Sequence, residues 1–226
     1  MFVITHEDIR RSGATSVPEM LRLAPNLQVA RIDSNQYAIT ARGFNGANAN
    51  KLLVLMDGRS VYTPLFSGVF WNLQEVLPED IERIEVVSGP GGTLWGSNAV
   101  NGVINIITKH AKDMQGGMAV ATVSNDDGYD GLRYGVKLKE HMYLSSYVKY
   151  MNYGNVINDK WIHEPRQVNG GARLDWDMTD KDKLFVSAGY YDAKEASSAD
   201  RPVLTPRLNK INIRGDANFS GGHALA

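Results

Sequence analysis

Residues 86–109 read Val-Val-Ser-Gly-Pro-Gly-Gly-Thr-Leu-Trp-Gly-Ser-Asn-Ala-Val-Asn-Gly-Val-Ile-Asn-Ile-Ile-Thr-Lys. Val86 and Val87 close one apolar run, and Val103 to Ile107 forms another. Gly89, Gly91, Gly92, Gly96 and Gly102 lie between them, with Pro90 fixing one φ angle inside the turn. The pattern predicts strand, glycine-rich turn, strand. A plain surface loop would need neither so many glycines nor the embedded Trp95.

Working outward, other short motifs fall in order. Leu21, Pro25 and Val29 are spaced by four. Arg42-Gly43-Phe44 follows, then Asp57-Gly58 after an apolar strand, then Ile81 to Val86 (Ile-Glu-Arg-Ile-Glu-Val), then Gly89-Pro90. Each is weak alone, but five in register over half the chain are specific. Together they resemble the plug domain of TonB-dependent outer-membrane receptors. One position departs from the family pattern: Ser88 stands where the family usually has Arg before Gly-Pro. Any pairing between plug and barrel made through that Arg is absent here.

The chain has 226 residues and a formal net charge of −1, which gives no sign of a nucleic-acid partner. It has no cysteine, hence neither a disulfide framework nor thiol chemistry. No run approaches the roughly 18 apolar residues of a membrane-spanning helix. Thr5, His6, Glu7 and Asp8 interrupt the start, so no signal peptide is legible there.

Residues 1–112 predict a compact α+β unit, a small mixed sheet with short helices. Thr5 is a candidate N-cap with acids in the first turn, and Gly13 stops that helix. Ser16 to Glu19 reads as a capping box opening a second helix that Pro25 ends. Residues 37–42 and 52–56 read as an antiparallel pair joined by loop 45–50. Asp57-Gly58 is a turn signal, Pro78 opens a short helix carrying Ile81, and Ile84 begins a strand. If 37–42 and 52–56 are antiparallel, loop 44–51 lies at one end of the sheet and segments 30–36 and 58–71 at the other.

After Lys112 the periodicity becomes two. Leu132, Tyr134, Val136 and Leu138 alternate with Arg133, Gly135 and Lys137. Val168, Gly170, Ala172, Leu174 and Trp176 alternate with polar residues or glycine, as do Ile211 to Phe219. This dyad pattern predicts antiparallel transmembrane β-barrel strands, about six of them over 113–226. Short turns at 139–141 and 179–183 alternate with longer connections at 125–131, 154–166 and 196–206, which is the barrel habit. Tyr150, Tyr153, Trp161, Trp176 and Tyr190 are candidates for interfacial girdles. A soluble antiparallel sandwich also alternates and is the competing reading. Six strands cannot close around a plug, since plugged transporters have about 22. The barrel is therefore expected to be incomplete in this chain, with more of the protein on either side.

The resemblance implies a function. The family takes up a scarce ligand, such as a ferric siderophore or cobalamin, across the outer membrane, energised through TonB. It implies no enzyme chemistry and no cofactor. It places the outward end of the plug against ligand, which here nominates Asp33, Asn35, Gln36, Tyr37, Tyr62, Phe66, Phe70 and Trp71. It assigns Arg42, Gly43, Ser88, Gly89, Pro90, Gly91 and Gly92 to plug–barrel packing. Partners would be TonB, the ligand and outer-membrane lipid. The alternative function is a free-standing soluble periplasmic plug-like binding module.

Other chemistry finds little support. Gly91 and Gly96 have the spacing of a phosphate loop, but Ser97 stands where its lysine must be. The histidines are dispersed without metal-ligand spacing. Glu82 and Glu85 flank Arg83 and read as solvated or salt-bridged rather than catalytic.

Overall fold

A computed structural model of the chain describes residues 1–32, 35–43, 45–46, 49–63, 65–96, 98–122, 124, 127–154, 166–179 and 182–194, with the backbone of 218–219. Asp33, Phe44, Ser97, Trp161 and most of the alternating stretch 211–219 lie outside the described residues, as do loop 196–206 and nearly all of 154–166.

The chain opens with β1 (Phe2–Thr5), a short strand that periodicity did not reveal, and passes directly into α1 (His6–Ser12). Thr5 caps α1 reciprocally with Asp8, and Gly13 ends it at φ 68°. α2 (Val17–Leu21) follows from an extended Ser16, but the Ser16 side chain makes no cap bond. The carboxylate of Glu75 takes that place, accepting the Val17 N–H at 3.2 Å. The expected capping box is thus replaced by an acid 58 positions away.

The main sheet has the order β1-β6-β7-β4-β5. Its members are β4 (Leu52–Met56), β5 (Arg59–Ser60), β6 (Ile81–Ser88) and β7 (Gly102–Thr108). β4 runs parallel to β7, and the other pairings are antiparallel, so the sheet is mixed. The run Leu-Leu-Val-Leu-Met is buried throughout β4, which needs cover on both faces and therefore a central position. One face joins the main core with Ile4, Met20, Leu21, Ile84 and Ile106. The other packs Leu53 and Leu55 on Ala99 and Val103.

The expected hairpin between 37–42 and 52–56 does not form. β3 (Tyr37–Thr40) pairs instead with β2 (Gln28–Arg31) in a separate two-stranded sheet. A nearer partner reached through a short turn wins over the longer closure. The ends of the sheet also differ from expectation. β5 folds back along β4, and the Tyr62 hydroxyl donates to the Leu52 carbonyl at 2.8 Å. Asn101 bonds Lys51 and Ala41. The described residues of 41–51, 62–70 and 88–101 therefore gather at one end of the sheet, not at opposite ends. Pro78–Asp80 is a 3-10 turn, and Ile81 is already the first residue of β6.

A 3-10 turn, Ala111–Met114, leads from β7 to the second sheet. Here β8 (Gly116–Ala121), β9 (Gly128–Lys139), β10 (Met142–Asn152), β11 (Arg166–Asp177) and β12 (Lys183–Lys194) form an antiparallel meander in sequence order, with β13 (Asn218–Phe219) beside β12. Strands of 11 or 12 residues from β9 to β12 suit a tilted membrane crossing. The sheet is open.

Its faces are inverted relative to a soluble sandwich. Leu132 is 59% and Tyr134 63% exposed, and Leu138, Val148, Tyr150, Trp176 and Tyr190 lie on the same outward side. The buried side holds Ser145, Lys149, Gln167, Asn169 and Asp175. Apolar out and polar in is the order a bilayer imposes on a wall whose lumen is filled. Tyr153 departs from the girdle expectation: it is buried with Leu77, Tyr129 and Met151.

Candidate functional site

The polar face of the second sheet grips the α+β unit through charged side chains that the dyad pattern directs inward. Arg133 in β9 donates to Asp80 at 2.6 Å, with both side chains nearly buried. Asp80 closes the 3-10 turn after Pro78, and burial raises its pKa while the Arg133 hydrogen bond opposes the rise. Beside it, the Tyr129 hydroxyl donates to Glu79 at 2.7 Å. Lys149 in β10 donates to Glu75 at 2.8 Å, and those side chains are 0% and 1% exposed. Burial is the largest influence on Glu75 and raises its pKa, while the neighbouring Lys149 opposes it. Both Glu75 oxygens accept hydrogen bonds, one from Lys149 and one from Val17, which suits the carboxylate form.

Arg173 in β11 makes a third contact. It donates to the Thr108 hydroxyl at 2.7 Å, lies 3.5 Å from Asp57, and is held by Asp175 of its own strand. Asp57 in turn accepts the N–H and hydroxyl of Thr108. Asp175 also accepts the Ala111 N–H, so the connecting turn is fixed to the same strand. A fourth contact lies at the long-loop side. Arg31 in β2 makes a two-pronged bond to Asp127, which also accepts the Gly154 N–H. Between these contacts runs a cavity of about 200 Å³, lined by Gln74, Asp57, Ser145, Asn169, Arg173 and Ser187.

The residues nominated for ligand divide into two groups. Asn35, Tyr37 and Trp71 are buried, and Trp71, 6% exposed, belongs to the main core. Tyr62 is half-buried, its hydroxyl committed to Leu52. Gln36 is exposed at the β2–β3 turn. Phe66 and Phe70 pack edge to face at 4.8 Å on a loop closed by a Thr63–Gly68 bridge. Phe70 is exposed there, beside a Leu65 that is 79% exposed. The loop is shaped by Gly68, where a methyl would overlap the Phe66 ring.

The residues nominated for plug–barrel packing bond within the α+β unit. Arg42 sits in the left-handed region at φ 66°, next to Gly43, and its guanidinium lies near Gly89. Asn26 donates to Ser88. Gly89 and Gly91 bond Asn101 and Ala99, Pro90 is exposed, and Gly92 opens α3 (Gly92–Trp95). The described strands are contacted by Thr15, Asp57, Glu75, Val76, Glu79, Asp80, Thr108 and Arg31. A partial signal existed in the sequence. Arg133, Lys149, Arg173 and Asp175 all occupy strand positions opposite the apolar face, but nothing local names their partners.

Residues 1–103 match the family model described as TonB-dependent Receptor Plug Domain. The chain is 32% identical over 126 residues to the vitamin B12 transporter BtuB of Vibrio vulnificus, covering 55% of this chain and 20% of that protein. It is 34% identical over 144 residues to the ferric enterobactin receptor PirA of Pseudomonas aeruginosa, covering 57% and 19%. It thus spans about one fifth of the length of these relatives. Among solved structures, it superposes on the siderophore receptor PirA of Pseudomonas aeruginosa with a TM-score of 0.60 at 24% identity, covering 86% of this chain and 35% of that one. On the siderophore receptor PirA of Acinetobacter baumannii the TM-score is 0.64 at 20% identity, covering 93% and 35%. The likeness spans both sheets and at these identities concerns the fold.

Proposed function

We propose, because residues 1–103 match the model of the TonB-dependent receptor plug domain, that the chain is part of an outer-membrane receptor for energised ligand uptake. Residues 1–112 are its plug and 113–226 the first strands of its barrel. The inverted faces of β8–β12 carry this reading: exposed Leu132 and Tyr134 suit lipid, and buried Arg133 and Lys149 suit a lumen filled by the plug. The ligand class is that of the named relatives, a ferric siderophore or vitamin B12. Ligand would be met by the loop bearing Leu65, Phe66 and Phe70 and by Gln36, apolar and amide groups suited to a bulky amphiphile. TonB, acting from the N-terminal side of the plug, would supply the energy to move it.

The polar plug–wall seam supports transport rather than permanent closure. Charges that separate into water regain hydration, whereas separated apolar faces do not. The test is uptake by the full-length receptor in cells lacking their own siderophore and cobalamin receptors. Ferric catecholate siderophore and cyanocobalamin are offered separately, with and without functional TonB. TonB-dependent accumulation of either supports the reading. Accumulation that ignores TonB, or of neither ligand, rejects it.

A further inference from the structure

Among the inward cations of the wall, Lys149 has a distinct arrangement. Its ammonium donates to the Glu75 carboxylate at 2.8 Å, the Thr15 carbonyl at 2.8 Å and the Val76 carbonyl at 3.0 Å. Three donors meet three acceptors, so the group is saturated. The Tyr129 ring, 5.0 Å away, covers it further. All three acceptors belong to the plug. Arg173 differs, because Asp175 of its own strand stays with it whatever the plug does.

The acceptors also come from two distant stretches of the plug. Thr15 precedes α2, and Glu75 and Val76 precede the Pro78 turn. Glu75 then reaches the first N–H of α2 at Val17, joining the two stretches through one carboxylate. Tyr147, two positions along β10, donates to the Glu75 carbonyl at 3.2 Å and fixes the same segment.

We propose that Lys149 is the positioning residue that seats the plug against the wall, and that plug movement during uptake requires this ammonium to exchange Thr15, Glu75 and Val76 for water. The proposal rests on the receptor reading above. Its physical basis is that a buried ion pair adds little net stability over apolar packing, yet removal of one partner is severe. Such a contact holds firmly while dry and gives way once water enters.

The bond polarities yield a specific consequence. Exchanging the two charges preserves attraction but not the pattern. A carboxylate at 149 would face the Thr15 and Val76 carbonyls, and an ammonium at 75 would face the Val17 N–H. Charge exchange therefore should not rescue.

The test uses the full-length receptor with Thr15→Cys as a reporter; residues 1–226 contribute no cysteine of their own. Labelling by a bulky maleimide without ligand, surface ligand affinity and TonB-dependent uptake are measured for Lys149→Met, Glu75→Gln and the exchange E75K/K149E. Heat-modifiable migration reports assembly. The expected result is about tenfold faster labelling and about tenfold lower uptake for Lys149→Met, with ligand affinity unchanged. Glu75→Gln, which retains an acceptor for Lys149, should be intermediate, and it carries the test if Lys149→Met fails to assemble. The exchange should be no better than Lys149→Met. Wild-type labelling and uptake in Lys149→Met, wild-type labelling in Glu75→Gln, or full recovery in the exchange would overturn the proposal. Absence of uptake in the unsubstituted receptor would instead reject the transport reading, while the labelling comparison would still report on the seat.

Discussion

Gly135 in β9 faces the carbonyl oxygen of Met114 so closely that a methyl on its α-carbon would overlap that oxygen. Met114 ends the turn that carries the chain from the α+β unit to the second sheet, so this backbone contact lies where the two parts join. Gly131, four residues earlier on the same face, meets the side chain of Leu77 rather than backbone. Gly135→Ala should therefore lower stability by about 1–3 kcal/mol, and Gly131→Ala by less. Heat-modifiable gel migration of the full-length protein across a temperature series checks the order, and equal effects would argue against it.

Removing Asp80 would leave the Arg133 guanidinium buried without its acid. Asp80→Ala should cost about 3–5 kcal/mol. Arg83→Ala breaks contacts to Glu82 and Glu85 that are far more exposed, and should cost about 0–1 kcal/mol. Denaturant midpoints of the two variants compare them directly.

The sequence revealed the kinds of element better than their partners. Thr5 and Gly13 are read locally, so the limits of α1 were legible. The alternation at 132–138 was legible for the same reason. The parallel pairing of β4 with β7 joins residues 50 positions apart, and no local signal encodes it. The position of β3 failed for the opposite reason: a nearer partner, β2, lies across a short turn and takes the pairing expected with the more distant β4. At the candidate site, Phe66 and Phe70 were identifiable as aromatics beside a turn. That Trp71 and Tyr37 are core, and that Glu75 meets Lys149, depends on long-range packing alone. Ser16 looked like a cap, but its function passed to Glu75, a substitution visible only in three dimensions.

Tyr62 offers a test in alkaline solution. Burial pushes its pKa up to about 12. Because the folded value is raised, its contribution is complete below the ordinary value of 10.0 and fades as pH rises towards about 12. Tyr62→Phe should cost about 1 kcal/mol at pH 8, with the difference shrinking between those limits. Stability of both proteins across that range measures it, and a constant difference would contradict the assignment.

The exposed loop makes a prediction about ligand. Phe66→Ala and Phe70→Ala should each weaken surface binding by about 1–2 kcal/mol without affecting assembly. Gly68→Ala should act like the two combined, because its methyl displaces the Phe66 ring. Equilibrium binding to intact cells decides this. Unchanged affinity in all three variants would remove the loop from the ligand site.

The orientation of the wall tests the account most directly. Single cysteines placed at positions 132, 133, 134, 136, 137 and 138 of the full-length protein can carry a fluorophore that a lipid-dissolved nitroxide quenches. Strong quenching is expected at 132, 134, 136 and 138 and little at 133 and 137. Quenching of the odd positions instead, or of neither set, would contradict a membrane wall packed around this plug.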